Sequence, residues 1–318
     1  MTSVMDSFTP AEATELCSRV GVKKANMRID KIFFSAVYAG MLLSFAGATH
    51  LSIQASPWFQ DNAPGLIRAI GATYFPYGLV MIVLTGTDLS TGSFMYTTLS
   101  FIHGRISVFK MLQHWFLTFF GNLAGSLFMV AIIFGYGGVF DSGAYVKEAM
   151  AFAVTKQVVP KFHQIFLRAI GCNWLVCLAC YLGVQGRDLV SKILGIWWPI
   201  TAFVSLGLDH VVANMFLVPI GIWHHAPGLT VGLYIWKGII PAALGNILGG
   251  GLFCAGVLWY LHIEGEPEIA VNGVYYEATV NGHGHINGGL RFRRNAGKQE
   301  EEYVSQARNP DPQVEVHK

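Results

Sequence analysis

The chain has 318 residues, of which 53% are hydrophobic and 13% charged, and it carries a net charge of +2. Soluble domains carry about 25% charged residues, so this composition argues against a soluble globular fold, and so small an excess of positive charge gives no case for nucleic-acid binding. The 36 glycines and 22 phenylalanines suit a membrane protein, because glycine is commoner in spanning helices than in soluble ones.

Residues 1–31 are polar and amphipathic, with Arg19, Lys23, Lys24, Arg28 and Lys31 and no signal-peptide core, and they are expected to form a cytosolic N-terminal segment. Six apolar stretches follow, each near or above the roughly 20 residues a helix needs to cross a bilayer: about Ile32–Ile53, Leu66–Ile102, Trp115–Tyr136, Ile165–Leu182, Ile193–Trp223 and Leu229–His262. They make one six-span domain over 32–262. The tail, 263–318, is rich in Gly, Asn, Glu and Arg and is expected to be cytosolic and mostly disordered. Its His283 and His285 are read as solvated rather than metal-binding.

Lysine and arginine set the orientation. Arg105 and Lys110 follow the second span, Arg187 and Lys192 follow the fourth, and the tail adds six more, whereas Ser56–Gly65 and the His224–Gly228 turn have none. Both ends of the chain are therefore expected in the cytoplasm. The loop Gly137–Pro160 is the exception, external yet holding Lys147 and Lys156. Of the five cysteines, Cys17 is expected in the cytosol and Cys172, Cys177, Cys180 and Cys254 within spans, as packing residues rather than a disulfide framework.

Two spans are broken in the same way. "GTDLSTGSFM" begins at Gly86 and "GLDHVVANMF" at Gly207, and each is followed by a Gly-Asn-x-x-Gly span, at Gly121 and Gly245. The first pair is 121 positions apart and the second 124. A three-span unit has been used twice, about 32–136 and 162–262. Because three is odd, the second copy enters from the opposite side, which makes an inverted repeat with its pathway at the interrupted helices. Glycine supplies the dihedrals of a break. Asp88 and Asp209 are expected to support the loops by accepting hydrogen bonds from the freed amides of the following half-helix. Half-helix N-termini carry positive dipole ends and free N–H groups, which favour anions.

Intramembrane Asn122 and Asn246 recur as mates and read as interhelical glue for the broken loops. Asn173 and Asn214 are either glue or donors to a passing anion. His210 is the one histidine placed near the bilayer centre, and an ionisable group at that depth points to function. It can gain or lose a proton near neutral pH. Its mate in the first repeat is Leu89, and Thr91 in the opposite loop offers it a hydroxyl.

Taken together, "GTDLSTG", "FFGNLAG", "GCNWLVCLA", "DHVVANMFLVPIG" and "IPAALGNILGG" resemble the formate/nitrite transporter family, in the family's order and across all six spans, and most of all its fungal nitrite-transporting members. The resemblance implies an all-α integral membrane fold, an aquaporin-like inverted repeat with broken second and fifth spans. It implies a homopentamer with a pore in each subunit, in the plasma membrane of the cell. Nitrite, formate and similar small monovalent anions would pass, proton-linked through the central histidine, in the service of nitrate assimilation. The family's central histidine falls on His210 and its loop threonine on Thr91. Its constrictions fall on Phe75, Phe203, Leu79 and Leu89, and its external lysine on Lys156. The family often has glutamate where Asp209 stands. No cofactor or metal is implied, and the expected partners are the anion, protons, the lipid bilayer and four further copies of the chain.

Other classes fit less well. An aquaporin-type neutral-solute channel would carry paired Asn-Pro-Ala loops, an ammonium channel paired midplane histidines, and a membrane enzyme a nucleophile–base set at one depth. None of these patterns is present in the sequence.

Overall fold

Thr9 accepts a hydrogen bond from the Glu12 amide while Glu12 accepts one from the Thr9 amide. This reciprocal box, with Pro10 at the first helical position, starts an amphipathic N-terminal helix, Pro10–Ala25. The computed structural model describes residues 7–280 and 286–292. In it the N-terminal helix is a packed part of the bundle rather than a solvated segment. Its face, with Ala13, Cys17 and Ser18, is buried against the half-helix Ser90–Ile102 and the fourth span.

Six helices among the described residues are long and apolar enough to cross a membrane: Ile29–Gln54, Pro64–Thr85, Val108–Tyr136, Phe162–Gln185, Leu189–Leu206 and Val231–His262. They correspond to the six expected stretches, but the second and fifth end at Thr85 and Leu206, at the breaks, rather than at Ile102 and Trp223, while the first, third and fourth start before their apolar runs. The third span begins at Val108 because Ser107 accepts from the Lys110 amide at 3.3 Å. Its polar first turns, including His114, therefore lie inside the helix. The fifth is started in the same way by Asp188, which accepts from Ser191 N at 3.0 Å.

The two breaks are superposable in their backbone angles. Gly86 (φ 72°, ψ 19°) and Gly207 (φ 70°, ψ 28°) close the second and fifth spans in the left-handed region, where a side chain would be strained. The next amide in each, Thr87 and Leu208, reaches back to Ile82 and Phe203, so the last carbonyls of each span are satisfied. Helix resumes as Ser90–Ile102 and Val211–Leu217. The residues just before, Leu89 and His210, have φ −91°, ψ 120° and φ −98°, ψ 116°.

The repeats also pack alike. Spans one and three lie against each other, as do spans four and six. At these crossings a β-carbon on Gly125 would lie 2.0 Å from the Val37 carbonyl oxygen, and one on Gly249 2.3 Å from that of Ile170. The paired glycines are what lets the backbones touch. A loop helix, Gly143–Ala153, precedes span four and packs on span one and the second half-helix. The N-terminal helix precedes span one and packs on span four and the first half-helix. The two are counterparts, so the repeated unit extends upstream of its first span.

The chain divides into two units after Pro267. In the second, Val274–Val280 pairs antiparallel with Ile286–Phe292. The hairpin is not singled out in a tail expected to be mostly disordered, although its first strand, "VYYEATV", has the β-branched and aromatic content that favours strands. His283 and His285 lie outside the described residues.

Candidate functional site

The two half-helices meet end to end through one hydrogen bond. Thr91, in the first turn of Ser90–Ile102, lies 2.8 Å from His210 Nε2 through its Oγ1. His210 Nδ1 accepts from the Ala213 amide at 2.9 Å, so the histidine caps its own half-helix. With Nδ1 accepting, the ring proton sits on Nε2, which donates to the Thr91 hydroxyl. Thr91 is fully buried and His210 is 3% exposed. The Phe203 ring stacks on the imidazole at 5.9 Å, and Phe75 meets Phe203 edge-on at 5.8 Å. The expected constriction residues therefore lie together, directly over the histidine. Leu79 and Leu89 are buried in the same apolar cluster.

Above the phenylalanines opens a cavity of about 730 Å³, whose lining includes His50, Arg68, Glu148, Lys156, Arg168 and Asn214. Arg68, Arg168 and Glu148 went unnoticed in the sequence. The two arginines sit in the second turns of spans two and four, where a charged head reaches past the apolar run that defines the span. Residue spacing alone gave Glu148 no reason to be singled out.

The aspartates do not cap the half-helices as expected. Asp88 Oδ1 lies 3.0 Å from Lys24 Nζ and accepts from Ser93 at 2.6 Å. Its Oδ2 lies 2.9 Å from His114 Nε2. Asp209 Oδ1 lies 3.3 Å from Lys156 Nζ and accepts from Asn214 Nδ2 at 3.3 Å. Lys156 also donates to the Gly207 and Leu208 carbonyls, at 2.8 Å each. The reason is electrostatic, since a carboxylate this deep is costly without a cation beside it. Each repeat supplies a lysine from the helical segment ahead of its first span. The charge exception in the loop Gly137–Pro160 is thereby explained in part, because the Lys156 ammonium points inward onto a helix C-terminus. Lys24 and His114 were missed as site residues. In the sequence Lys24 reads only as a topology charge, and His114 lies just outside the apolar stretch of span three.

The asparagines take the capping role instead. Asn122 Oδ1 accepts from the Ser90 amide at 2.9 Å, and its Nδ2 donates to the Ala36 and Asp88 carbonyls. Asn246 Oδ1 accepts from the Val211 amide at 2.8 Å, and its Nδ2 donates to the Ala169 and Asp209 carbonyls. Two of the amides expected to be free for an anion are thus occupied. Asn173 Nδ2 donates to the Thr91 and Asn246 carbonyls, tying the first half-helix to the sixth span.

A six-span inverted repeat with two half-helices converging under a cationic cavity is the architecture of a membrane channel. The family model for formate/nitrite transporters matches residues 11–260. A probable formate transporter of Methanothermobacter thermautotrophicus is 33% identical over 269 residues, 80% of this chain and 97% of that one. A solved pentameric formate channel with formate bound superposes with a TM-score of 0.65 at 29% identity, covering 73% of this chain and 96% of the other. An ion channel of the same family superposes at 0.69 with 27% identity, covering 80% and 99%. The chain belongs to the formate/nitrite transporter family and is an integral, multi-pass membrane channel, and the relatives it matches are transporters and channels rather than enzymes. An aquaporin-like neutral-solute channel is not favoured.

Proposed function

We propose that this protein passes nitrite and related small monovalent anions such as formate across the plasma membrane, as a homopentamer with both termini in the cytoplasm. The single observation that carries the reading is the buried His210 Nε2–H, held by Thr91 between two half-helix N-termini beneath a cavity with three cationic side chains. Arg68, Arg168 and Lys156 raise the local concentration of anions in that cavity. Phe75 and Phe203 form a dry constriction in which a bare anion loses several kcal/mol of solvation. The helix dipoles and the His210 Nε2–H, turning from Thr91 to the anion, offset that loss. The pentamer rests on the likeness to the pentameric formate channel. The orientation rests on the lysine and arginine distribution, together with the packing of the N-terminal helix against the end of the last span, which puts both ends of the bundle on one side.

His210 acts in this reading as a hydrogen-bond donor. Handing a proton to the anion would need an imidazolium, whose Nδ1–H would face the Ala213 amide, two donors in opposition. Asparagine at 210 supplies both a capping oxygen and an N–H donor. The test is flux in proteoliposomes of nitrite, formate, water and ammonia, with internal pH recorded from about pH 5 to 8, bracketing the ordinary histidine range. We expect nitrite and formate to pass ahead of water and ammonia, and His210→Asn to keep the wild-type proton-to-nitrite ratio at a changed rate. Nitrite current that persists in His210→Asn while its proton coupling vanishes would reassign the residue as a proton relay.

A further inference from the structure

Among the described residues, Glu148 is the one acid lining a cavity whose other ionic side chains are Arg68, Lys156 and Arg168. It stands on the loop helix Gly143–Ala153, half-buried, and its Oε2 accepts from Gln60 Nε2 at 2.6 Å. Gln60 is itself fixed, donating to the Gln54 carbonyl at the end of span one. The carboxylate is thus held in the cavity rather than free to swing away, and yet among the described residues no cation lies within ion-pair distance of it. Lys147, its neighbour in sequence, is exposed and does not line the cavity, and Lys156 is engaged with the Gly207 and Leu208 carbonyls and Asp209. A carboxylate placed so opposes what the cavity otherwise does, which is to gather anions.

We propose that Glu148 is a proton-controlled gatekeeper of this vestibule: ionised, it repels the permeating anion, and protonated, it leaves the three cations to draw the anion in. The proposal rests on the anion-channel reading above. The sign follows from the surroundings. Burial pushes the Glu148 carboxyl up to about 7, with the Gln60 hydrogen bond holding it lower than burial alone would. Below that pH the vestibule gains one unit of positive charge relative to its alkaline state. The other ionisable groups facing the cavity are His50 from span one, Arg68 from span two, Lys156 from the segment after the loop helix, Arg168 from span four and His210 at the floor. The helix Pro219–Trp223, which also packs on the loop helix, offers no ionisable side chain of its own.

The test is the initial rate of nitrite uptake into proteoliposomes, below saturation, for wild type, Glu148→Gln and Gln60→Leu, at matched pH on both faces from about pH 5.5 to 8.5. Dividing each variant's rate by the wild-type rate at the same pH removes the titration of nitrite itself and the driving force. For Glu148→Gln we expect a ratio near one at the acid end, rising to about fivefold at the alkaline end, a single charge giving less than the roughly 10–10³-fold of a whole charged cleft. Gln60→Leu removes a bond that favours the ionised form, so its rate profile should shift to higher pH. A Glu148→Gln ratio that does not change with pH overturns the proposal. Should that variant fail to assemble, an unshifted profile in Gln60→Leu overturns it instead. Wild-type vesicles that pass no anion at any pH would overturn the channel reading, and this inference with it.

Discussion

Asp88 joins three parts of the molecule: Lys24 from the N-terminal helix, His114 from span three, and Ser93 one turn into its own half-helix. Asparagine at this position can still accept from one of His114 and Ser93, whose bonds fall on different carboxylate oxygens, but it cannot balance Lys24. Breaking a buried ion pair from one side costs about 3–5 kcal/mol, and less here because the Lys24 side chain is 15% exposed. We expect Asp88→Asn to lower thermal stability in detergent by an amount equivalent to about 2 kcal/mol, and Asp88→Ala to lower it further. Adding Lys24→Gln to Asp88→Asn should cost little more, because the two side chains form one unit. Fully additive losses in that double variant would show that they act separately. At the same scale the structure corrects a sequence-based expectation: an aspartate after a helix break reads as an amide acceptor, but in apolar surroundings it goes first to a cation.

The broken spans depend on side chains from their neighbours. Each break leaves backbone groups that no lipid can satisfy, and Asn122 and Asn246 each satisfy one amide and two carbonyls. A buried polar group left unpaired costs about 1–3 kcal/mol, so Asn122→Ala should lose several kcal/mol and yield little monodisperse protein by size-exclusion chromatography. Asn122→Asp should fare no better, since it keeps an acceptor for Ser90 but turns a carboxylate toward two carbonyl oxygens. An Asn122→Ala protein with wild-type thermal stability would show that the breaks hold themselves. The recurrence of the Gly-Asn-x-x-Gly pattern already pointed to these asparagines as glue. Which groups they bond could not be read from the sequence, because the partners lie 32 and 35 positions away on other helices.

Across the whole molecule, the fifth span is the least enclosed, with 17% of its apolar window buried against 39–56% for the others. Trp198 is 71% exposed and Leu206 66%. A face this apolar needs lipid or another protomer against it. If the chain assembles as its structural relative does, native mass spectrometry from mild detergent should give five copies, with the monomer appearing only under denaturing conditions. A folded, transport-competent monomer would assign the exposed face to lipid alone.

The sequence by itself determined the number of spans, the places where two of them break and the pairing of the two halves. Each of these is written in local apolar content, or in glycines whose backbone angles are set within a few residues. It also marked His210 and Thr91, and through the family resemblance Phe75 and Phe203, which the fold brings into one stack. What only the tertiary structure decided was which group answers which charge. Lys24 reaches Asp88, Lys156 reaches Asp209, and Glu148 is left facing the cavity with an amide for company. The interior penalises an unpaired charge more than any local preference can offset, so these assignments follow from which helices the packing brings side by side.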